Sequence, residues 1–177
     1  FFGGLIILSL GTVVSANEES LSMSEEDMKM YAEMQENNPG ELYVMQGESS
    51  MESVGGEEGL AKFLDIKPTE LPAYLAGFPR YIEKIGMVVA IDQMLQAAQK
   101  TNGNEPYKLT DNKMLYFAAY VKSLANGEKI SIDINANPKM KEAYAEGEKE
   151  FKNRRGGRGL SCYSCHNSGV VGMRLRM

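Results

Sequence analysis

Apolar residues return every three or four positions in several stretches of the chain, the pattern of helices with one buried face. The clearest run is 110–126, where Met114, Phe117, Ala118, Val121 and Leu124 share a face. Thr110 is its expected N-cap and Asn126-Gly127 its expected stop. A second helix is expected over Val88–Ala98, with Val88, Ile91 and Leu95 on one side and Asn102-Gly103-Asn104 breaking it. A third spans 139–153, where Met140, Tyr144, Gly147 and Phe151 align and Gly147 would admit a second helix closely.

Shorter pieces complete the pattern. Ser24-Glu25-Glu26-Asp27 opens a short exposed helix that ends before Asn38-Pro39, with Met28, Met30, Tyr31 and Met34 at helical spacing and the methionines expected as packing rather than ligands. Glu41 to Gln46 is helical. Val54–Gly59 reads as a turn, and Ala73–Tyr81 as an ordered loop with a short helix between prolines. Ile130–Ile134 alternates but is too short to make a β protein, so it reads as an extended connector. The expected fold class is mainly α.

A weak repeat divides the chain. Asn38-Pro39 followed by Gly47-Glu48 returns as Asn137-Pro138 followed by Gly147-Glu148. Two related helical units follow from this, one over 38–128 and one over 129–177, with 17–37 an acidic segment before them. The second unit ends shortly after His166 and reads as incomplete. Residues 1–16 read as a secretion signal, with Leu5–Leu10 the apolar region and Val14-Ser15-Ala16 a small-x-small cleavage site. The apolar run is too short for a membrane span, and a start without a basic region or Met reads as clipped.

Charge is uneven within a net −5. Asp and Glu dominate 17–60, against the single Lys29. Lys149, Lys152, Arg154, Arg155, Arg158, Arg174 and Arg176 face only Glu150 in the last stretch. Such a field suits an anionic ligand or an acidic partner, or is an ordinary solvated face. No aromatic-interleaved basic motif points to nucleic acid.

The chemistry gathers in Cys162-Tyr163-Ser164-Cys165-His166. The chain's two cysteines and its one histidine all lie in this pentapeptide. Cys-x-x-Cys-His is the attachment signature of a c-type haem. Cys162 and Cys165 would form thioethers to the two vinyl groups, and His166 would bind the iron as proximal ligand. A zinc site would want further Cys or His ligands, which the chain lacks. No βαβ pattern supports a thioredoxin-like pair; a structural disulfide in an exported protein stays open. A helix with a small residue and an aromatic, followed about ten residues later by this motif, is how many cytochrome c domains begin.

From Asn38 to Met177 the chain resembles the SoxA family of sulfur-oxidising cytochromes. The resemblance rests on Asn38-Pro39-Gly40-Glu41-Leu42, Phe78-Pro79-Arg80-Tyr81, Ala119-Tyr120-Val121, Gly147-Glu148 with Phe151, the Cys-x-x-Cys-His motif and Gly172-Met173-Arg174-Leu175-Arg176. It implies two cytochrome-c-like domains, the first often without haem. It also implies a periplasmic location, one covalent haem c, a SoxX-type cytochrome partner and a SoxYZ-type sulfur carrier. The implied activity is L-cysteine S-thiosulfotransferase: thiosulfate is oxidatively joined to a carrier cysteine while electrons leave through haem. The family's other iron ligand and catalytic cysteine would lie beyond Met177, so no catalytic residue is assigned within this chain. Arg155 and Arg174 are the candidate contacts to thiosulfate or to haem propionates. Where family members usually carry two cysteines in the first domain, this chain has Val54 and Ala98. The alternative function is a simple electron-transfer cytochrome c with a methionine as distal ligand.

Overall fold

The computed structural model describes residues 24–36 and 38–167. The signal-like residues 1–16, Met173, Arg174 and Arg176 lie outside the described residues. The chain divides into two compact units, Phe1–Pro39 and Gly40–Met177. In the first, α1 (Glu25–Glu36) begins where the Ser24 hydroxyl accepts the Asp27 N–H at 3.1 Å. The helix is exposed as expected, Tyr31 with it, and so are Met28, Met30 and Met34, expected to pack.

The second unit is built from α2 (Gly40–Glu48), α3 (Gly56–Leu64), α4 (Leu71–Leu75), the strands β1 (Arg80–Ile82) and β2 (Met87–Val89), α5 (Ile91–Thr101), α6 (Asn112–Ser123) and α7 (Pro138–Lys152). Among the described residues three 3-10 segments accompany them, at Ser49–Val54, Pro68–Glu70 and Cys162–Ser164. Helix predominates, and β1 and β2 form a single antiparallel hairpin with Tyr81 opposite Val88.

Three expectations are corrected. Val88 lies in β2 rather than in a helix, because Gly86 at φ 76° turns the chain and the β-branched Val88 and Val89 pair with β1. Helix α5 therefore starts at Ile91, where the Gln93 side chain accepts the Ala90 N–H at 3.0 Å. The stretch Val54–Gly59 turns only at Gly55 and Gly56, at φ 81° and 72°, and then runs on as α3. Helix α6 is capped by Asp111, not Thr110: its carboxylate accepts the Lys113 N–H at 3.0 Å.

The core joins α3, α5 and α6 over the hairpin, with Leu60, Met94, Leu95, Phe117 and Val121 fully enclosed. Ile91, Met94, Leu95 and Ala98 form the buried face of α5, as the 3.6-residue period requires. The buried Gln99 is satisfied on both sides, donating to the Ser53 hydroxyl at 3.0 Å and accepting from the Tyr107 N–H at 3.1 Å. Asn104 also donates to the Ser53 carbonyl at 2.8 Å. Val54 and Ala98, where the resemblance implies a pair of cysteines in other proteins, are both buried and border one cavity.

Helices α2 and α6 cross at Gly47. A Cβ there would collide with the Tyr116 carbonyl and lie 2.9 Å from the Cβ of Tyr120. Beside the crossing the Tyr43 and Tyr116 rings stack at 5.4 Å. Burial raises the Tyr120 phenol above its ordinary pKa, with Glu57 and Glu48 adding to the effect. Gly47→Ala should lower unfolding stability by about 1–3 kcal/mol through overpacking. The check is the urea midpoint, and an unchanged midpoint contradicts the close crossing.

Candidate functional site

Helix α7 delivers the chain to the Cys-x-x-Cys-His segment. It starts at Asn137, whose side-chain oxygen accepts the Lys139 N–H at 2.8 Å, with Pro138 in the first turn. Met140 alone is buried in this helix. Met140 and Asn137 line a small pocket with Gly77, Arg80 and Tyr81, so α7 seats against the hairpin. Arg80 is held there by its own segment: its guanidinium lies 3.7 Å over the Tyr74 ring and donates to the Tyr74 carbonyl at 3.0 Å. The Phe78-Pro79-Arg80-Tyr81 motif thus builds the seat. The connector ties in as well, through the Ser131 N–H donating to the Ala76 carbonyl at 3.1 Å.

Lys149 and Lys152 occupy the last turn of α7, where they complement the helix dipole. Glu148 hydrogen-bonds Lys152 at 2.6 Å and holds its ammonium pKa above the usual lysine value. Beyond the helix, Arg155 pairs with Glu150. The guanidinium expected to meet an anion is therefore engaged by a carboxylate of its own segment. The Arg155 backbone N–H donates to the Leu160 carbonyl at 3.0 Å, closing a short loop. Gly156 and Gly159, at φ 70° and 58°, let that loop turn.

The loop places Cys162 at the start of a 3-10 turn. The Ser161 N–H donates to the Ser164 hydroxyl at 3.1 Å, and the Ser164 N–H returns to the Ser161 carbonyl at 3.0 Å. The Cys162 carbonyl accepts from both the Cys165 and the His166 N–H groups, at 3.1 and 2.9 Å. One turn of backbone thus carries both thiols and the imidazole. Cys162 and His166 are exposed, Cys165 is half-buried, and both thiols are free. The Phe151 and Tyr163 rings meet edge to face at 6.2 Å, bracing the turn against α7. A cavity of about 400 Å³ is bordered by Gly147, Phe151, Leu160 and Cys162.

This donor set fits a haem c. Two unpaired thiols and an imidazole stand on one turn, beside an open surface with an apolar aromatic and a leucine. Among the described residues no group of three or more His, Cys, Asp or Glu gathers as for a metal ion. No described helix is long and apolar enough to cross a membrane.

The Phe151–Tyr163 brace and the place of Leu160 were not read from the sequence. A longer register of the repeat could have shown them, since Phe151, Leu160 and Tyr163 stand opposite the apolar Met51, Leu60 and Phe63. The exposure difference makes one prediction. In the chain without haem, Cys162 should be alkylated faster than Cys165, as read from singly labelled peptides by mass spectrometry. Equal or reversed rates contradict the turn.

Comparison with known proteins adds an independent line. Residues 63–130 match the SoxA/TsdA cytochrome c domain, a stretch that ends before Cys162. Three curated relatives are each an L-cysteine S-thiosulfotransferase subunit SoxA. That of Hydrogenophilus thermoluteolus is 31% identical over 152 residues, covering 79% of this chain and 55% of the relative. Those of Chlorobaculum thiosulfatiphilum and Chlorobaculum tepidum are each 26% identical over 145 residues, covering 82% of this chain and 49% of the relative. The chain spans about half the length of the curated relatives it matches. The domain match and these relatives together support the membership of this chain in the SoxA/TsdA cytochrome c family.

Proposed function

We propose that the chain is part of a periplasmic c-type cytochrome of the SoxA kind. Residues 38–128 act as a haem-less cytochrome-c-like domain, and 129–177 begin the domain that holds one haem. Cys162 and Cys165 hold it by thioethers and His166 supplies the proximal nitrogen. The observation that carries this reading is the single turn on which the two free thiols and the imidazole stand. The activity of the SoxA relatives extends it to sulfur chemistry.

The proposed reaction joins the outer sulfur of thiosulfate to a cysteine thiol of a SoxYZ-type carrier. A sulfur–sulfur bond forms, the thiol proton leaves, and two electrons are released. Bound haem, with a SoxX-type partner, supplies the path for those electrons. This chain's residues hold that group and set the field around it. Lys149, Arg154 and Arg158 add positive charge close to the turn, which favours an anionic substrate or partner.

The test is expression of the full gene product in a host that attaches haem c in the periplasm. The parent protein should carry covalent haem, read as a pyridine haemochrome after denaturation. Cys162→Ala and Cys165→Ala should each lose one thioether, and the double variant should lose all covalent haem. His166→Ala should lose the native low-spin spectrum. Covalent haem on the double cysteine variant would defeat the assignment. Conjugation of thiosulfate to a carrier cysteine separates the enzyme from a plain electron carrier with a methionine ligand, which would show haem and no conjugate.

A further inference from the structure

The connector between α6 and α7 carries an edge that the fold leaves unpaired. Residues 128–133 run without helix, turn or bend. One backbone hydrogen bond ties them down, from the Ser131 N–H to the Ala76 carbonyl at 3.1 Å. The Ser131 carbonyl lies on the same side, 3.5 Å from where a Cβ at Gly77 would stand. Backbone groups alternate in an extended chain, so those of Ile130 and Ile132 face the other way. Among the described residues nothing accepts the N–H of either. Their side chains are open too, Ile130 at 77% exposure and Ile132 at 44%. An unpaired edge with β-branched side chains is a template for another strand.

This edge is complementary to itself. Antiparallel pairing of two copies about Ser131 sets Lys129 opposite Asp133, Ile130 opposite Ile132, and Ser131 opposite its counterpart. The two-fold axis makes each unlike pair twice. The Ile130–Ile132 pairs are then the hydrogen-bonded ones, so the outward backbone groups are those engaged. Lys129 and Asp133 fall in the closer, non-hydrogen-bonded pairs. Both charges are available. Among the described residues Lys129 has no carboxylate partner. Asp133 uses only Oδ1, which accepts the Asn135 N–H at 2.8 Å. A slip by one residue either way sets Lys129 against an isoleucine. Centring on Ile130 or Ile132 instead sets it against Ser131 or Asn135.

We propose that two copies of this chain pair antiparallel through residues 129–133, forming a two-fold dimer. A second copy is favoured over a foreign strand because the match needs nothing from outside. One short segment supplies both the lysine and the aspartate, at the spacing that brings them together, with isoleucines facing isoleucines between them. The pairing covers little beside the roughly 1,200–2,000 Å² of a stable interface. The dimer is therefore weak, depends on concentration, and loosens as salt screens its exposed charges. It requires neither haem nor the reaction proposed above.

The experiment is sedimentation equilibrium of the full gene product at low salt, over a range of concentrations. The parent should show a monomer–dimer equilibrium. Lys129→Asp and Asp133→Lys should each weaken it roughly ten- to a hundredfold, since like charges then stand opposite twice in each dimer. Mixed in equal amounts, the two variants should associate again, because each supplies the charge that the other lacks. That recovery also shows that both variants fold. Combining the two substitutions in one chain should restore the parent's dimer. A parent that stays monomeric at millimolar concentration overturns the pairing, and the rest of the polypeptide is then the cover. A dimer that both single variants leave unchanged overturns it as well, since another surface then joins the copies. A mixture of the variants that stays monomeric overturns the register.

Discussion

The backbone approach of α2 to α6 at Gly47 is the contact on which the larger unit depends. Any side chain there would strike the Tyr116 carbonyl, so only glycine lets the two helices close. Their closeness fixes where the inner face of α6 stands, and Phe117, Val121 and Met114 then fill the space over α3 and α5. Burying an aromatic and aliphatic set of this kind is worth roughly 1.5–3 kcal/mol per side chain before entropy is counted. That packing, with Val54 and Ala98 part of it, and the Gln99–Ser53 latch hold the segment together.

The same segment then serves as a base for the chemistry. Arg80, stacked on Tyr74, shapes the hairpin edge on which Met140 rests. Met140 pins the start of α7, and the far end of α7 braces Tyr163 through Phe151. A chain of ordinary contacts thus runs from the helical core to the turn that carries two thiols and an imidazole. The loop between them is short because two glycines accept left-handed backbone and Arg155 closes it through Leu160. Charge is arranged by the same economy: Glu148 and Glu150 engage Lys152 and Arg155, while Lys149, Arg154 and Arg158 leave the region basic.

Much of this was legible in the sequence, for identifiable reasons. Helix α6 and helix α7 showed because their apolar positions keep the 3.6-residue period and sharp caps bound them. The Cys-x-x-Cys-His motif stood out because it is a matter of local spacing, and the structure adds that its five residues form one turn. The hairpin did not show, since strands of three residues are too short for alternation to register, and Val88 suits a helix face equally well by pattern. Helix α3 was hidden by its glycines, which read as a turn although only Gly55 and Gly56 turn. The methionines of α1 kept a helical spacing without burial, a reminder that periodicity shows a face and not what covers it. The Arg155–Glu150 pair was equally out of reach, because it needs the loop geometry that brings the two together.

Attachment of haem through both cysteines of this turn is tested by mass spectrometry of the tryptic peptide running from Gly159 to Arg174, taken from the protein exported in a haem-attaching host. One haem should be found on that peptide, linked to Cys162 and to Cys165. A peptide carrying two free thiols or a Cys162–Cys165 disulfide, with no haem, would contradict it.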